Sequence, residues 1–309
     1  MLLPQKKPND SWKWVFKAAH YNQTLPRLPS CIWCYGLQKT TPSPTISHLF
    51  LSRRHRFAMD IDALHLILLI VSGIAAGFVN TIAGGGSIFT LPALILLGMP
   101  ADVANGTNRV GVLLQSLAAV HGFDRHKKLE RQAIVPIVLP TIIGALLGSS
   151  VASIIPAEVL KPVLLGTMMA MTLLIVLKPG TLPNLDETAL SLRERPSAIA
   201  WLFFAGLYGG FVQAGVGFIL LTALAGVLRY DLLRANALKM MCTLVFSVVA
   251  LAVFIVQGQV LWVPGLILGV SSIFGVQLSV RFAINAQQQT LKWILLGMAL
   301  LVCIAALFK

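Results

Sequence analysis

The sequence has 309 residues, of which 57% are hydrophobic and only 11% are charged, and its mean hydropathy is +0.82. A soluble domain carries about 25% charged residues, so this composition excludes a soluble enzyme and predicts an all-α polytopic membrane protein. The net charge of +13 does not indicate a nucleic-acid partner, because nine of the 24 Lys and Arg residues lie in the first 58 positions and the others are spread over connectors.

Residues 1–58 differ from the rest of the chain. They are basic and lack a regular hydrophobic pattern, and the first apolar run begins just after Met59. Three interpretations are open: Met59 is the true initiator, the segment is a disordered basic tail, or it is a targeting segment. We favour the first, and we expect a chain that begins at Met59 to insert and function like the full chain.

A glycine cluster interrupts the first apolar run. His65 is the only ionisable residue between Ala63 and Met99, and one helix of this length would measure about 55 Å, whereas a bilayer core is about 30 Å thick. Glycine in a helix interior costs about 1 kcal/mol relative to alanine. The run is therefore predicted to break at Gly84, Gly85 and Gly86, a segment that we call the first break.

The first break is a candidate substrate site. Backbone groups freed at membrane depth need partners in the protein or in a wet cavity, and broken helices of secondary transporters hold their substrates there. Asn80 and Ser87 flank the glycines. These two residues and the three glycines form the first group of candidate substrate-binding residues; the alternative is that the glycines only allow close helix packing.

The other apolar runs predict two transmembrane repeats, 59–177 and 198–309, joined by the polar connector 178–197. An apolar helix is predicted to follow Arg109 and to extend to about Val120, and further helices are predicted over about 133–153, 159–177, 235–256, 260–281 and 290–308. Two pairs of glycines at four-residue spacing predict helix-packing faces, namely Gly73 with Gly77 and Gly144 with Gly148.

The second half repeats the plan of the first. The uncharged run from Ser197 to Leu228 is also too long for one straight span, and it contains a second glycine-rich segment, 206–218, in which Gly215 and Gly217 mark the second break. Residues 83–87 correspond to residues 214–218, 131 positions later, and Arg109 corresponds to Lys239, 130 positions later. This near-constant offset predicts an internal duplication.

The charges of the connectors favour an inverted repeat. If each broken run crosses the membrane once, the repeats are parallel, with eight Lys and Arg residues inside and five outside. If each is a re-entrant hairpin, each half has three full transmembrane helices, and the count becomes eleven inside against two outside. Since Lys and Arg concentrate in cytoplasmic loops, the second arrangement is predicted. It makes the connectors cytoplasmic at 122–132, 178–197, 229–234 and 282–289.

Two cations lie inside apolar helices. A charge at membrane depth costs several kcal/mol unless it is paired or hydrated, so Arg109 and Lys239 are candidate ligands of an anion. Asn108 and Gln213 add amide donors; snorkelling of Arg109 and interhelical hydrogen bonding of the amides are the alternatives. The candidate substrate-binding set is completed by the glycines of the second break, Gly215 and Gly217.

These glycine motifs, the Asn108-Arg109 pair, Lys239 and the duplicated plan resemble the sulfite exporter TauE/SafE family of bacterial permeases. The resemblance covers about residues 64–308. It implies a multi-pass transporter of the cell inner membrane for small anions, with sulfur oxyanions, sulfonates and related organic acids as the known substrate range. Val216 interrupts the second glycine cluster and departs from the family pattern, which puts the sharpness of the second bend in doubt.

Two function classes remain open, a secondary anion transporter and a non-transporting membrane component such as an assembly factor or an intramembrane enzyme. No embedded carboxylate pair, catalytic triad or metal-binding cluster is visible, and no connector is long enough for a nucleotide-binding domain. We therefore expect no enzyme activity, no cofactor and no metal site. The expected partners are a small anionic substrate and the lipid bilayer, without nucleic acid; a homo-oligomer is left open.

Overall fold

The computed structural model describes residues 62–177, 189–286 and 290. The predictions for the leader, for most of the connector 178–197 and for the last helix lie outside the described residues. Regular secondary structure in the described part is entirely helical, which confirms the predicted class. The helices are α1 (Ala63–Ile82), α2 (Ser87–Leu96), α3 (Ala101–Arg125), α4 (Arg131–Ile154), α5 (Ala157–Leu177), α6 (Ser197–Phe211), α7 (Val216–Leu221), a π-helix (Thr222–Val227), α8 (Leu232–Val256) and α9 (Trp262–Asn285).

The outer surface of the bundle is apolar. By length and composition, α1, α4, α8 and α9 could each cross a membrane. They expose large hydrophobic side chains such as Leu64, Val135 and Phe274, and such a surface is unfavourable in water but suits contact with lipid. The fold is that of a multi-pass membrane protein.

Both long apolar runs are interrupted at their glycines. The first leaves the α-helix after Ile82, and Gly84 takes a left-handed conformation with φ +89°. The second leaves it after Phe211, and both Gln213 (φ 69°) and Gly215 (φ 78°) are left-handed. The chain thus ends one helix and begins another at each predicted break.

Corresponding helices recur at a fixed spacing along the chain. Helices α3 and α8 each have 25 residues and begin 131 positions apart, and α4 and α9 each have 24 residues and begin 131 positions apart. At the breaks the spacing is 129, since α1 ends at Ile82 and α6 ends at Phe211. The π-helix Thr222–Val227 lies between these two regions. A π-helix has more residues per turn than an α-helix. The two additional residues of the second half can therefore be placed in this π-helix, which accounts for the change in spacing from 129 to 131.

The two halves interlock. Helix α1 packs along α9, and α6 packs in the same way along α4. At the centre, α3 packs against α8 and α9, while α4 also packs against α8. The first helix of each half therefore has its main partner in the other half, so neither half forms a separate bundle.

Glycine pairs allow this close packing, as the sequence predicts. A Cβ atom added at Gly148 on α4 would lie only 2.0 Å from the carbonyl oxygen of Leu207 on α6. Gly77 on α1 is in the same relation to α9, where an added Cβ would lie 2.1 Å from Ser272 O. Any larger residue at these positions pushes two helices apart.

We expect Gly148→Ala to lower the free energy of unfolding by roughly 1–3 kcal/mol, the usual cost of overpacking. The matched control is Gly166→Ala on α5, where an added Cβ would meet nothing within 4 Å. Thermal unfolding of the two purified variants measures the difference. Equal midpoints would contradict the close approach of α4 and α6.

Candidate anion site at the paired helix breaks

The two helix breaks contact each other at the centre of the protein. Gly217 N donates a hydrogen bond to Gly84 O at 3.2 Å. A Cβ on Gly84 would lie 2.3 Å from the Cα atom of Gly217, and a Cβ on Gly217 would lie 2.2 Å from the Cα atom of Gly84. Only glycine at both positions permits this backbone contact, so the sequence brings the two breaks together.

Lys239 on α8 binds the end of α1. Its side chain is fully buried, and Nζ donates to Asn80 O at 2.9 Å, Thr81 O at 3.0 Å and Asn236 Oδ1 at 2.7 Å. The last carbonyl groups of a helix have no partner within it and carry its negative partial charge. The ammonium group of Lys239 therefore caps the broken helix of the first half.

Arg109 on α3 binds the end of α6 in the same manner. It is fully buried, so it does not snorkel, and it donates to Gly209 O and, at 2.7 Å, to Gly210 O. Asn105 lies one turn before Arg109, and its Oδ1 atom is 3.4 Å from Arg109 Nη2. Asn105 Nδ2 donates to Phe211 O at 2.8 Å. Each half thus supplies a cation that caps the broken helix of the other half, and an asparagine on the same helix as the cation lies against it.

The side chains around the first break form a second polar group. Asn108 Nδ2 donates to Ser87 Oγ at 3.1 Å, and Asn108 Oδ1 accepts from Thr90 Oγ1 at 2.6 Å. Asn80 lies against Gly86, since a Cβ added at Gly86 would be 2.7 Å from Asn80 Cβ. These bonds hold the first turn of α2 against α3.

At the second break, Gln213 turns its side chain towards α8. Its Nε2 donates to Ser247 Oγ at 3.3 Å, while its Oε1 is buried without a partner. Gln213 is also held at φ 69°, a conformation that is uncommon for a residue other than glycine. A buried unpaired group on a strained backbone is typical of functional sites.

Neither buried cation has a carboxylate partner among the described residues. Ion pairs in the described part join more exposed groups, among them Asp124 with Arg131 and Arg234 with both Glu130 and Asp231. The partners that the structure shows for the two buried cations are backbone carbonyl oxygens of α1 and α6 and asparagine side-chain oxygens of α3 and α8.

Sequence analysis missed Asn105, which lies against Arg109 and donates to Phe211 O. Asn105 precedes Arg109 by four positions and Asn236 precedes Lys239 by three, a spacing that puts each pair on one helix face. Asn105 and Asn236 are 131 positions apart. This recurring asparagine–cation spacing was the signal that could have identified Asn105.

An apolar bundle that encloses two helix breaks and two buried cations defines a multi-pass membrane protein of the transporter type. Residues 69–306 match the family model of the sulfite exporter TauE/SafE. The chain belongs to this family, as the resemblance predicts.

The relatives carry transporter names. A "Probable membrane transporter protein ORF9" of Sinorhizobium sp is 29% identical over 248 residues, which cover 79% of this chain and 94% of the relative. A "Probable membrane transporter protein" of Haemophilus influenzae is 28% identical over 234 residues, 74% of this chain and 88% of the relative. No solved structure shows significant similarity to this chain. The family and these names indicate a membrane transporter rather than an enzyme.

Proposed function

We propose that this protein is a secondary transporter for small anions in the cell inner membrane, and that its substrates are sulfur oxyanions or organosulfonates. One observation carries the proposal: Arg109 and Lys239 are fully buried beside two helix breaks and have no carboxylate partner among the described residues. An uncompensated charge in an apolar interior is costly. A bound anion supplies the missing countercharge.

In this proposal the anion lies at the paired breaks. The backbone N–H groups of Gly85, Gly86 and Ser87 at the start of α2 provide hydrogen-bond donors, and the Asn80 amide adds another. The glycines of the second break, Gly215 and Gly217, bring the backbone close on the opposite side. The hydrogen bonds of the two cations go to carbonyl and amide oxygens, so the cations attract the anion through their charge from behind the breaks.

The proposal includes an inverted repeat with re-entrant hairpins. Arg234 Nη1 lies 3.3 Å from Glu130 Oε2, and this ion pair joins the connectors 122–132 and 229–234 at one end of the bundle. A parallel arrangement would put these two connectors on opposite sides of the membrane. The equal lengths of α3 and α8 at a spacing of 131 also support a duplication.

Cysteine labelling distinguishes the two arrangements at Gln257, an exposed residue between α8 and α9. We expect Gln257→Cys to react with a membrane-impermeant maleimide from the periplasm and Lys127→Cys to react only from the cytoplasm, in a chain whose native cysteines are replaced by serine. Both arrangements place Lys127 inside, so it is the control. Labelling of Gln257→Cys only from the cytoplasm would contradict the inverted repeat and support the parallel one.

Ligand-dependent unfolding tests the substrate class. We expect sulfite, thiosulfate or sulfoacetate to raise the unfolding temperature of the purified protein, because a ligand that binds only the folded state stabilises it. Chloride at the same ionic strength is the control for general salt effects. If simple carboxylates stabilise the protein and none of the sulfur anions does, the proposed substrate class is wrong.

A further inference from the structure

A second polar cluster lies at the end of the bundle where α3 begins. It is formed by Asp102 in the first turn of α3 and by Gln259 between α8 and α9. Gln259 Nε2 donates to Asp102 Oδ2 at 3.3 Å and to Ser153 O, near the end of α4, at 3.0 Å. The cluster thus joins both halves of the protein, at a place that the anion site does not use.

Two oxygen atoms in this cluster have no partner. Asp102 Oδ1 and Gln259 Oε1 are both buried and accept no hydrogen bond. The whole Gln259 residue is only 4% exposed. Nearly all buried polar atoms in proteins are hydrogen-bonded. Both atoms are acceptors, so the missing partner is a cation or a proton donor.

The backbone around Gln259 is held firmly. A Cβ added at Gly106 on α3 would lie 2.2 Å from Gln259 O, and Leu261 N donates to Thr107 Oγ1 at 3.0 Å. These contacts fix the segment between α8 and α9 on the surface of α3. The two free oxygen atoms therefore belong to a preformed arrangement.

The charge of the cluster fits a monovalent cation. Asp102 has no Lys, Arg or His partner in the described ranges. Calcium sites are built from six to eight oxygen ligands, commonly with several carboxylates. The described residues contain no group of three or more His, Cys, Asp or Glu side chains that could hold a metal ion, and a single carboxylate balances one positive charge.

We propose that Asp102 and Gln259 form a binding site for one Na⁺ ion that energises transport. The coupling role rests on the proposed function, whereas binding of the cation does not. The corresponding positions of the other half, 131 residues away, are Leu233 and Lys128. The other half therefore lacks this cation site, and the two ends of the bundle differ in this respect.

The test is the unfolding temperature of the purified full chain in NaCl and in choline chloride at equal ionic strength and at the same pH. In wild type, Na⁺ at ten times its Kd should raise the unfolding temperature by roughly 3–5 °C. Asp102→Asn should lose this rise. Glu158→Gln, which removes an exposed carboxylate on α5, should keep it.

Identical Na⁺ responses of wild type and Asp102→Asn would overturn the proposal, as would a wild type that does not respond to Na⁺. Gln259→Met is the second variant, since it keeps the charge of Asp102 but removes the amide oxygen, and it should weaken the response at least tenfold in cation concentration. Because no sulfur anion enters these measurements, their failure is distinguishable from failure of the proposed anion transport.

Discussion

Gly84→Ala is expected to abolish transport. Gly84 has φ +89°, and its Cβ would lie 2.3 Å from the backbone of Gly217. The left-handed conformation costs roughly 1–2 kcal/mol for a residue other than glycine, and overpacking adds about 1–3 kcal/mol. Since both penalties fall on the contact between the two breaks, the breaks must separate or the protein must unfold.

Gly85→Ala is the matched control. A Cβ at Gly85 would meet its nearest neighbours, on Ile88 and Phe218, at 3.4 Å, which is ordinary contact. We expect it to retain most of the stability that Gly84→Ala loses, as measured by thermal unfolding. Anion flux at equal protein level gives the second comparison. Similar defects in the two variants would show that any residue larger than glycine disrupts this segment, and that the Gly84–Gly217 contact is not special.

Lys239→Gln is expected to have the second large effect. The substitution removes a buried positive charge and shortens the side chain that caps Asn80 O and Thr81 O. We expect anion affinity to fall by about 2 kcal/mol, or roughly 30-fold in Kd, the order of the attraction between two unit charges about 8 Å apart at an effective dielectric constant of about 20. Lys239→Arg should retain partial function because it keeps the charge with altered geometry.

The control for charge alone is Lys161→Gln. Lys161 is an exposed cation on α5, so its loss changes the net charge equally but leaves the breaks intact. Titration of a sulfur oxyanion monitored by unfolding temperature gives the apparent affinity of each variant. Wild-type affinity in Lys239→Gln would remove Lys239 from the anion site.

Much of the architecture could be predicted from the sequence because lengths and glycines constrain a membrane protein strongly. The run from Ala63 to Met99 exceeds the bilayer, and Gly84–Gly86 mark where it bends. The near-constant offset between residues 83–87 and 214–218 and between Arg109 and Lys239 predicts an internal duplication, which the equal lengths of α3 and α8 support. The length of the first run and its glycines are signals that are local in the chain and follow from backbone geometry alone.

The partners of the cations could not be predicted in the same way. Lys239 binds Asn80 O and Thr81 O, which are backbone acceptors that every residue type possesses, so no sequence pattern distinguishes them. The pairing also crosses from one half to the other, and only the packed structure brings α8 to the end of α1. The direct contact of the cations with an anion remains a prediction.

The spacing between the two breaks is 129 residues, two fewer than the 131 between α3 and α8, and the sequence did not predict this difference. Aligned by sequence, Gly84 corresponds to Gly215, whereas the helix ends pair Gly84 with Gln213. The π-helix Thr222–Val227 takes up the two additional residues further along. A π-helix has no distinct residue preference that would have revealed it beforehand.

The cation of each half binds the broken helix of the other half, and these contacts link the motions of the two halves. The end of α1 is bound by Lys239 of the second half, and the end of α6 is bound by Arg109 of the first half. A displacement of either break therefore pulls on a helix of the opposite half. Alternating access in duplicated transporters depends on such motion of one repeat against the other, and these caps couple the two.

The most direct test of the account is uptake of radiolabelled sulfite, thiosulfate and sulfoacetate into proteoliposomes under imposed ion and substrate gradients, without ATP. We predict saturable uptake of at least one of these anions by wild type, a strong reduction in Lys239→Gln and normal uptake in Lys161→Gln. Uptake of all three by folded wild-type protein that equals uptake by protein-free liposomes would contradict an anion transporter.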